Sequence, residues 1–243
     1  MSAVHDLRLG VLAFGDSITN AGGELQWGVA LQSWALWVAR ALGLPFTSYA
    51  FDGSRAQDVA ESQIVVFEEV SANPDAGYQL GCLYIGVNDV RAEDFDSEQF
   101  ERDYAFALQF LTGRCERVLT LTIPLDLGRP RARAAVLEAN DVIERVAIEL
   151  GALVVDLREF RARNLVMADR IHPTAFGQIA IAERALAVLE QDGLHPRIAP
   201  RAVIAFETTW WGRLRGDATY TYRYLRESAT ARLHAVAARR RSG

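Results

Sequence analysis

The stretch Leu9-Gly10-Val11-Leu12-Ala13-Phe14-Gly15-Asp16-Ser17-Ile18-Thr19-Asn20 organises the chain, because an apolar run stops abruptly at a small, polar, reactive cluster. Leu9, Val11, Leu12, Ala13 and Phe14 form a nearly continuous apolar segment, the pattern of a parallel strand buried on both faces. Gly15 ends it. In open α/β sheets ligands bind beyond the carboxyl ends of the strands, which would put Asp16, Ser17 and Asn20 on the functional edge. Gly, Asp and Ser are also ordinary turn formers, so this tripeptide alone fits a structural turn equally well.

The pattern then repeats along the chain. Trp27, Leu31, Trp34, Val38 and Ala41 recur at helical spacing up to Gly43 and Pro45, and residues 46–51 read as a second strand stopped by Asp52-Gly53. Ala60, Ile64 and Phe67 mark a second helix, broken at Asn73-Pro74-Asp75. Residues 81–87 form a third apolar strand that runs into Asn88-Asp89. Phe100, Tyr104, Ala107 and Leu111 predict a third helix, residues 117–123 a fourth strand ending at Pro124, and Val136, Ala139, Ile143, Val146 and Leu150 a fourth helix. Residues 152–157 are a short fifth strand. After the polar loop 169–173, Ile179, Ala182, Leu186 and Leu189 mark a helix that starts near Thr174. Regular β-α alternation implies a three-layer α/β/α domain of flavodoxin-like architecture, with a five-stranded parallel sheet.

The chain has 243 residues, half of them hydrophobic, enough for one domain with a sizeable core and an appendage. No apolar run approaches the ~18 residues of a spanning helix, and residues 1–10 lack the core of a signal peptide, so a cytoplasmic location is expected. Cys82 sits within an apparent strand and Cys115 just before another, as core thiols rather than a disulfide or metal ligands. No His, Cys or carboxylate cluster has metal-binding spacing, and neither a glycine-rich dinucleotide fingerprint nor a P-loop follows the first strand. Neither a metal nor a cofactor is expected.

Acyl transfer to water needs a nucleophilic hydroxyl, a base, an acceptor that orients the base, and donors aimed at the developing oxyanion. The strand ends at Ser17, Gly53 and Asn88 and the loop Asp169-Arg170-Ile171-His172-Pro173 offer each kind of part. Together they resemble the SGNH hydrolase family, the GDSL-type esterases and lipases. Gly15-Asp16-Ser17-Ile18-Thr19 is similar to its first block, Asp52-Gly53 to its second, Gly86-Val87-Asn88-Asp89 to its third and Asp169 to Pro173 to its last. The resemblance covers roughly residues 9–189 and implies a serine hydrolase that cleaves a small or acyl-bearing carboxylic ester or thioester through an acyl-enzyme. It makes Ser17 the nucleophile, His172 the base and Asp169 its orienter, with the Ser17 N–H, the Gly53 N–H and the Asn88 side chain as oxyanion donors. Asp156 is the rival orienter. Asp16 and Asp89 are expected to structure their loops, and Trp27, Glu24 and Arg91 are candidate pocket residues.

The sequence departs from the family pattern twice. Ser48 stands where the second block often carries Asn, and Arg170 occupies a position often held by a small residue, where it is either simply solvated or able to favour an anionic group on the substrate. Two other readings use the same site: an acyltransferase, or a catalytically silent ligand-binding or scaffold module.

Residues 1–194 are expected to form the hydrolase domain and residues 195–243 an extension of different character. All 26 basic residues of the chain are Arg, and the extension holds ten of them against Glu207, Asp217 and Glu227, a charge of +7 that leaves −12 for the rest. Trp210, Trp211, Tyr220, Tyr222 and Tyr224 interleave with Arg213, Arg215, Arg223 and Arg226, and Arg239, Arg240 and Arg241 lie at its end. It reads as a helical arm whose aromatics pack onto the domain with Arg outward. Self-association through this arm is the alternative, with no strong case for nucleic acid or membrane.

Overall fold

The computed structural model describes residues 8–23, 29–71, 73, 75–127, 132–162, 164–204 and positions 210, 211, 214, 218, 221, 222, 225, 226 and 229. Trp27, Glu24, His5 and His234, and most of the Arg and Tyr residues of the extension, lie outside the described residues.

Five strands, β1 (Val11–Gly15), β2 (Phe46–Ser48), β3 (Tyr78–Tyr84), β4 (Cys115–Leu121) and β5 (Leu153–Val155), form one sheet in the order β2-β1-β3-β4-β5. Every pairing is parallel. All five residues of β1 are buried, as expected for a central strand covered on both faces. The edge strands β2 and β5 are short and only partly buried. The helices are α1 (Trp34–Leu42), α2 (Ala56–Asp58), α3 (Ile64–Val70), α4 (Ser97–Thr112), α5 (Ala132–Leu150) and α6 (Ala175–Gln191), with a π-helical turn over Val59–Gln63 joining α2 to α3. Helices α1 and α6 pack together against one face of the sheet, and α4 packs between α5 and the α2–α3 segment on the other. This is the α/β/α architecture expected from the alternating pattern.

Phe14 shows how the layers join. Its ring lies 5.9 Å from Tyr49, 6.1 Å from Phe67 and 5.9 Å from Phe110 between centroids, so β1, the residue after β2, α3 and α4 meet in one aromatic cluster beneath the end of β1. Such ring pairs contribute about 0.5–1.5 kcal/mol each beyond area burial.

Several element bounds differ from the sequence reading, for local reasons. Helix α1 starts at Trp34 because the Ser33 side chain accepts the Leu36 N–H as an N-cap, so Leu31 lies outside it. The third strand leaves the ladder after Tyr84 because Gly86, at φ +115°, turns the chain, and a Cβ there would press on Ile123 and Phe100. Cys82 and Cys115 are both buried free thiols, and Cys115 is the first residue of β4. In the extension, Trp210 and Trp211 are 61% and 73% exposed, and the two rings meet edge-to-face rather than being covered by the domain. Among the described residues no helix is long and apolar enough to cross a membrane.

The end of β4 is closed by a side chain. Asn140 of α5 is buried, accepts the Ile123 N–H at 2.7 Å and donates to the Ile123 carbonyl at 2.9 Å. Asn140→Leu keeps the volume but leaves both backbone groups buried without partners. It is expected to lower unfolding stability by about 2–4 kcal/mol, measured by urea denaturation with an unchanged m-value.

Candidate active site

The turn after β1 carries Ser17. Gly15 approaches β3 so closely that a Cβ would collide with the Tyr84 carbonyl and the Thr19 side chain. Beyond it the chain coils back, with the Asn20 N–H on Asp16 O at 2.9 Å and the Gly22 N–H on Ser17 O. Asp16 is buried and accepts the Ile18 N–H through Oδ1 at 2.9 Å, while its Oδ2 has no hydrogen-bond partner among the described residues. Burial drives its pKa up to about 7, against the opposing effects of the Ile18 N–H and the nearby His172.

His172 reaches Ser17 from the loop before α6. Thr174 caps that helix through the Gly177 N–H and also donates to Asn164 O at 2.8 Å, which ties the two ends of the loop together. A Cβ on Gly177 would collide with the Leu165 carbonyl and Pro173, so only glycine lets the helix seat against this loop. Within the loop, Met167 N–H donates to His172 O and Arg170 N–H to Met167 O. Arg170 adopts φ +61°, a left-handed conformation unusual for a residue with a Cβ. That tight turn lets Asp169 Oδ1 accept the Ile171 and His172 N–H groups at 2.9 and 3.0 Å. Its other oxygen, Oδ2, lies 2.6 Å from His172 Nδ1, and His172 Nε2 lies 2.9 Å from Ser17 Oγ.

The electrostatics follow from these contacts. The Asp169 hydrogen bond raises the His172 pKa above its ordinary 6.5; burial and Arg91 oppose the rise, and the charges of Asp169 and Asp16 add to it. Burial works against the Asp169 carboxylate, but the His172 ring and the two backbone N–H groups outweigh it and hold its pKa below the ordinary value. Asp156, the rival orienter, faces elsewhere: it binds Thr122 Oγ1 at 3.1 Å and the Arg158 guanidinium, which brings its pKa down to about 2.

Gly53 lies beyond β2 at φ +81°, and among the described residues no atom outside its own chain neighbours comes within 4 Å of the place its Cβ would take. Glycine is required there by the backbone angle, and the open space leaves room for a ligand. Asn88, beyond β3, donates from Nδ2 to Ser54 O at 2.9 Å, which uses one of its two amide hydrogens. Asp89 accepts the Ala56 N–H at 3.0 Å, and burial raises its pKa to about 6. Asp16 and Asp89 therefore both brace loops. Ser48 receives the Ala50 N–H at 3.3 Å, and Arg170 lies 3.5 Å from Asp126, on the exposed side of the loop.

Two buried glutamines next to the site escaped the sequence reading. Gln63 bonds to Gly15 and Ser54, and Gln178 accepts the Trp34 N–H while donating to the Ile18 and Gly22 carbonyls. The signal was a polar residue at a helix position where the spacing calls for an apolar one. Among the described residues no group of three His, Cys, Asp or Glu side chains could hold a metal ion.

Solved structures share this fold. A lipolytic protein of the G-D-S-L family from Veillonella parvula is 25% identical with a TM-score of 0.60, covering 75% of this chain and 98% of its own. An α/β hydrolase from the metagenome of Lake Arreo, Spain, is 20% identical with a TM-score of 0.59, covering 76% and 97%. An acetylxylan esterase from Geobacillus stearothermophilus is 20% identical with a TM-score of 0.56, covering 74% and 93%. No curated protein sequence matches the chain. Residues 13–180, well over half of the sequence, match a single family, and the chain belongs to it: the GDSL-like Lipase/Acylhydrolase family, hydrolases of the serine esterase type.

Proposed function

We propose that this protein hydrolyses a carboxylic ester of a small or acyl-bearing substrate through an acyl-enzyme formed on Ser17, within a hydrolase domain of residues 1–194. The observation that carries the reading is the unbroken line from Ser17 Oγ through His172 to Asp169, with contacts of 2.9 and 2.6 Å.

In the first half-reaction Ser17 Oγ attacks the ester carbonyl carbon while its proton passes to His172 Nε2. Asp169 keeps the other ring proton on Nδ1 and favours the imidazolium that forms. The carbonyl oxygen takes up negative charge and accepts hydrogen bonds from the Ser17 N–H, the Gly53 N–H and the free hydrogen of the Asn88 amide. Collapse of this intermediate breaks the bond to the alkoxy group, which leaves with the His172 proton. Water then attacks the acyl-Ser17 carbonyl, gives its proton to His172, and the acid departs as Ser17 recovers its hydrogen.

Ser17→Ala is expected to lower kcat on a short-chain aryl ester by about 10³-fold or more while its melting curve matches the parent. A fluorophosphonate should add once, on the peptide that contains Ser17, and His172→Ala should lose the adduct. A Ser17→Ala protein as fast as the parent would remove the mechanism.

The pH dependence has a definite sign. Neutral His172 is the working base and its pKa lies above 6.5, so kcat/KM should fall as the solution is acidified, with a midpoint above 6.5. Asp169→Asn removes the largest cause of the rise and should lower both the plateau and the midpoint. A profile flat from roughly pH 5 to pH 8 would exclude His172 as the base.

A further inference from the structure

The oxyanion arrangement proposed above draws its two backbone donors from separate turns. One follows β1 and carries Ser17; the other follows β2 and carries Gly53. The β1–β2 pairing weakens toward them, from 2.9 Å at Tyr49 N–H to Ala13 O to 3.3 Å at Phe51 N–H to Gly15 O. A buried side chain, Gln63, bridges the two turns from behind.

Gln63 is fully buried at the end of the π-helical turn Val59–Gln63, whose wider coil is marked by the Ile64 N–H bonding to Val59 O. Its amide matches the backbone of Gly15, with Oε1 accepting the Gly15 N–H at 3.0 Å and Nε2 donating to Gly15 O at 2.7 Å. A flipped amide would set donor against donor, so the orientation is determined by its partners. The second Nε2 hydrogen goes to Ser54 Oγ at 3.0 Å, and that hydroxyl passes its own hydrogen to Phe51 O at 3.0 Å. Gly15 is two residues before Ser17 and Ser54 is one after Gly53. Asn88 and Asp89 hold the same Gly53 turn from the β3 side, through Ser54 O and Ala56 N–H. The turn is thus clamped from both flanks. Among the described residues two side-chain ties join it to the Ser17 turn: an exposed one, Asn20 Nδ2 donating to Asp52 Oδ1 at 2.9 Å, and the buried Gln63 clamp, which holds the backbone itself. Short π segments of this kind recur at functional sites.

We propose that Gln63 is a positioning residue of the esterase reaction: it fixes the spacing between the Ser17 turn and the Gly53 turn, and hence the alignment of the two backbone N–H groups on the carbonyl oxygen. This rests on the acyl-enzyme reading above. The clamp acts on the charged intermediate rather than on substrate docking, so its loss should appear in kcat and spare KM.

The test compares the parent with Gln63→Met, which keeps the shape and removes all three bonds, and with Asn140→Leu, which removes an equivalent amide clamp from the end of β4. Kinetics on an aryl ester are paired with inhibition by an aryl boronic acid, whose tetrahedral adduct on Ser17 mimics the intermediate. Gln63→Met should lower kcat about 10- to 100-fold, leave KM within about threefold, weaken the boronic acid by the same factor as kcat/KM, and leave the acid midpoint of kcat/KM in place. Asn140→Leu should lose stability and keep kcat. A folded Gln63→Met with kcat within about threefold of the parent, or an Asn140→Leu protein with the same loss of kcat, would overturn the proposal. If Gln63→Met does not fold, Gln63→Glu carries the same expectation, because a carboxylate can accept from Gly15 but cannot donate to Gly15 O or Ser54 Oγ, and parent-like kcat there overturns it equally. A parent that fails to bind the boronic acid, or a Ser17→Ala protein that retains turnover, would instead remove the acyl-enzyme reading itself.

Discussion

β1 is paired in parallel on both sides, with Val11 to Ala13 opposite β2 and Val11 to Gly15 opposite β3. A strand enclosed in this way has no free edge, and its connections depart in opposite directions, one leading to β2 and the return crossing to β3. Between those departures a crevice opens at the carboxyl ends of the strands. Ser17, Gly53 and Asn88 all lie a few residues beyond the carboxyl ends of their strands, β1, β2 and β3, so the strand order brings their turns to one edge of the sheet. Hydrophobic burial of β1 thus supplies the position, and the turns have only to aim the groups.

Aiming them requires buried polar contacts, and the protein uses uncharged amides where a contact must serve both a donor and an acceptor. Gln63 on Gly15, Gln178 between Trp34 and the Ser17 turn, and Asn140 on Ile123 each serve at least one backbone donor and one backbone acceptor. A carboxylate in any of these places would leave the acceptor unmatched and carry the cost of a buried charge. Carboxylates appear where only N–H groups point inward: Asp16 under Ile18, Asp89 under Ala56 and Asp169 under Ile171 and His172. The first two are raised by burial. Asp169 alone gains the further bond from His172 that holds it ionised.

The order of elements and most buried helix faces were legible in the sequence because they follow from periodicity. Phe100, Tyr104, Ala107 and Leu111 are all buried on α4, and Val136, Ala139 and Ile143 on α5. The spacing of Asp169 and His172 was legible too, but the left-handed turn at Arg170 that joins them was not, since a long side chain gives no sign of positive φ. Gln63 and Gln178 were overlooked because each interrupts an apolar face and so reads as surface. Yet Ala175, Gln178, Ala182, Ala185 and Leu189 fall at spacings of three and four along α6, and all five are buried. A glutamine held inside such a stripe marks a backbone group that needs a partner. The packing expected for the extension's aromatics failed at Trp210 and Trp211 because amphipathic spacing identifies an apolar face and not what covers it.

Asp16 shapes how the proposed base responds to acid. Burial pushes its carboxyl up to about 7, and its charge is one of the smaller causes that raise the His172 pKa, behind the Asp169 hydrogen bond. The two groups attract each other when both are charged, so protonation of Asp16 makes the imidazolium less favourable. As the pH falls, Asp16 takes up a proton and the negative charge that favours imidazolium disappears. Loss of that charge removes one of the causes that raise the His172 pKa, while the largest, the Asp169 hydrogen bond, stays. Asp169, held ionised by three hydrogen bonds, keeps the ring oriented throughout. The buried carboxyl beside Ser17 therefore weighs on the charge of the proposed base, while the partly exposed one fixes the direction of its ring.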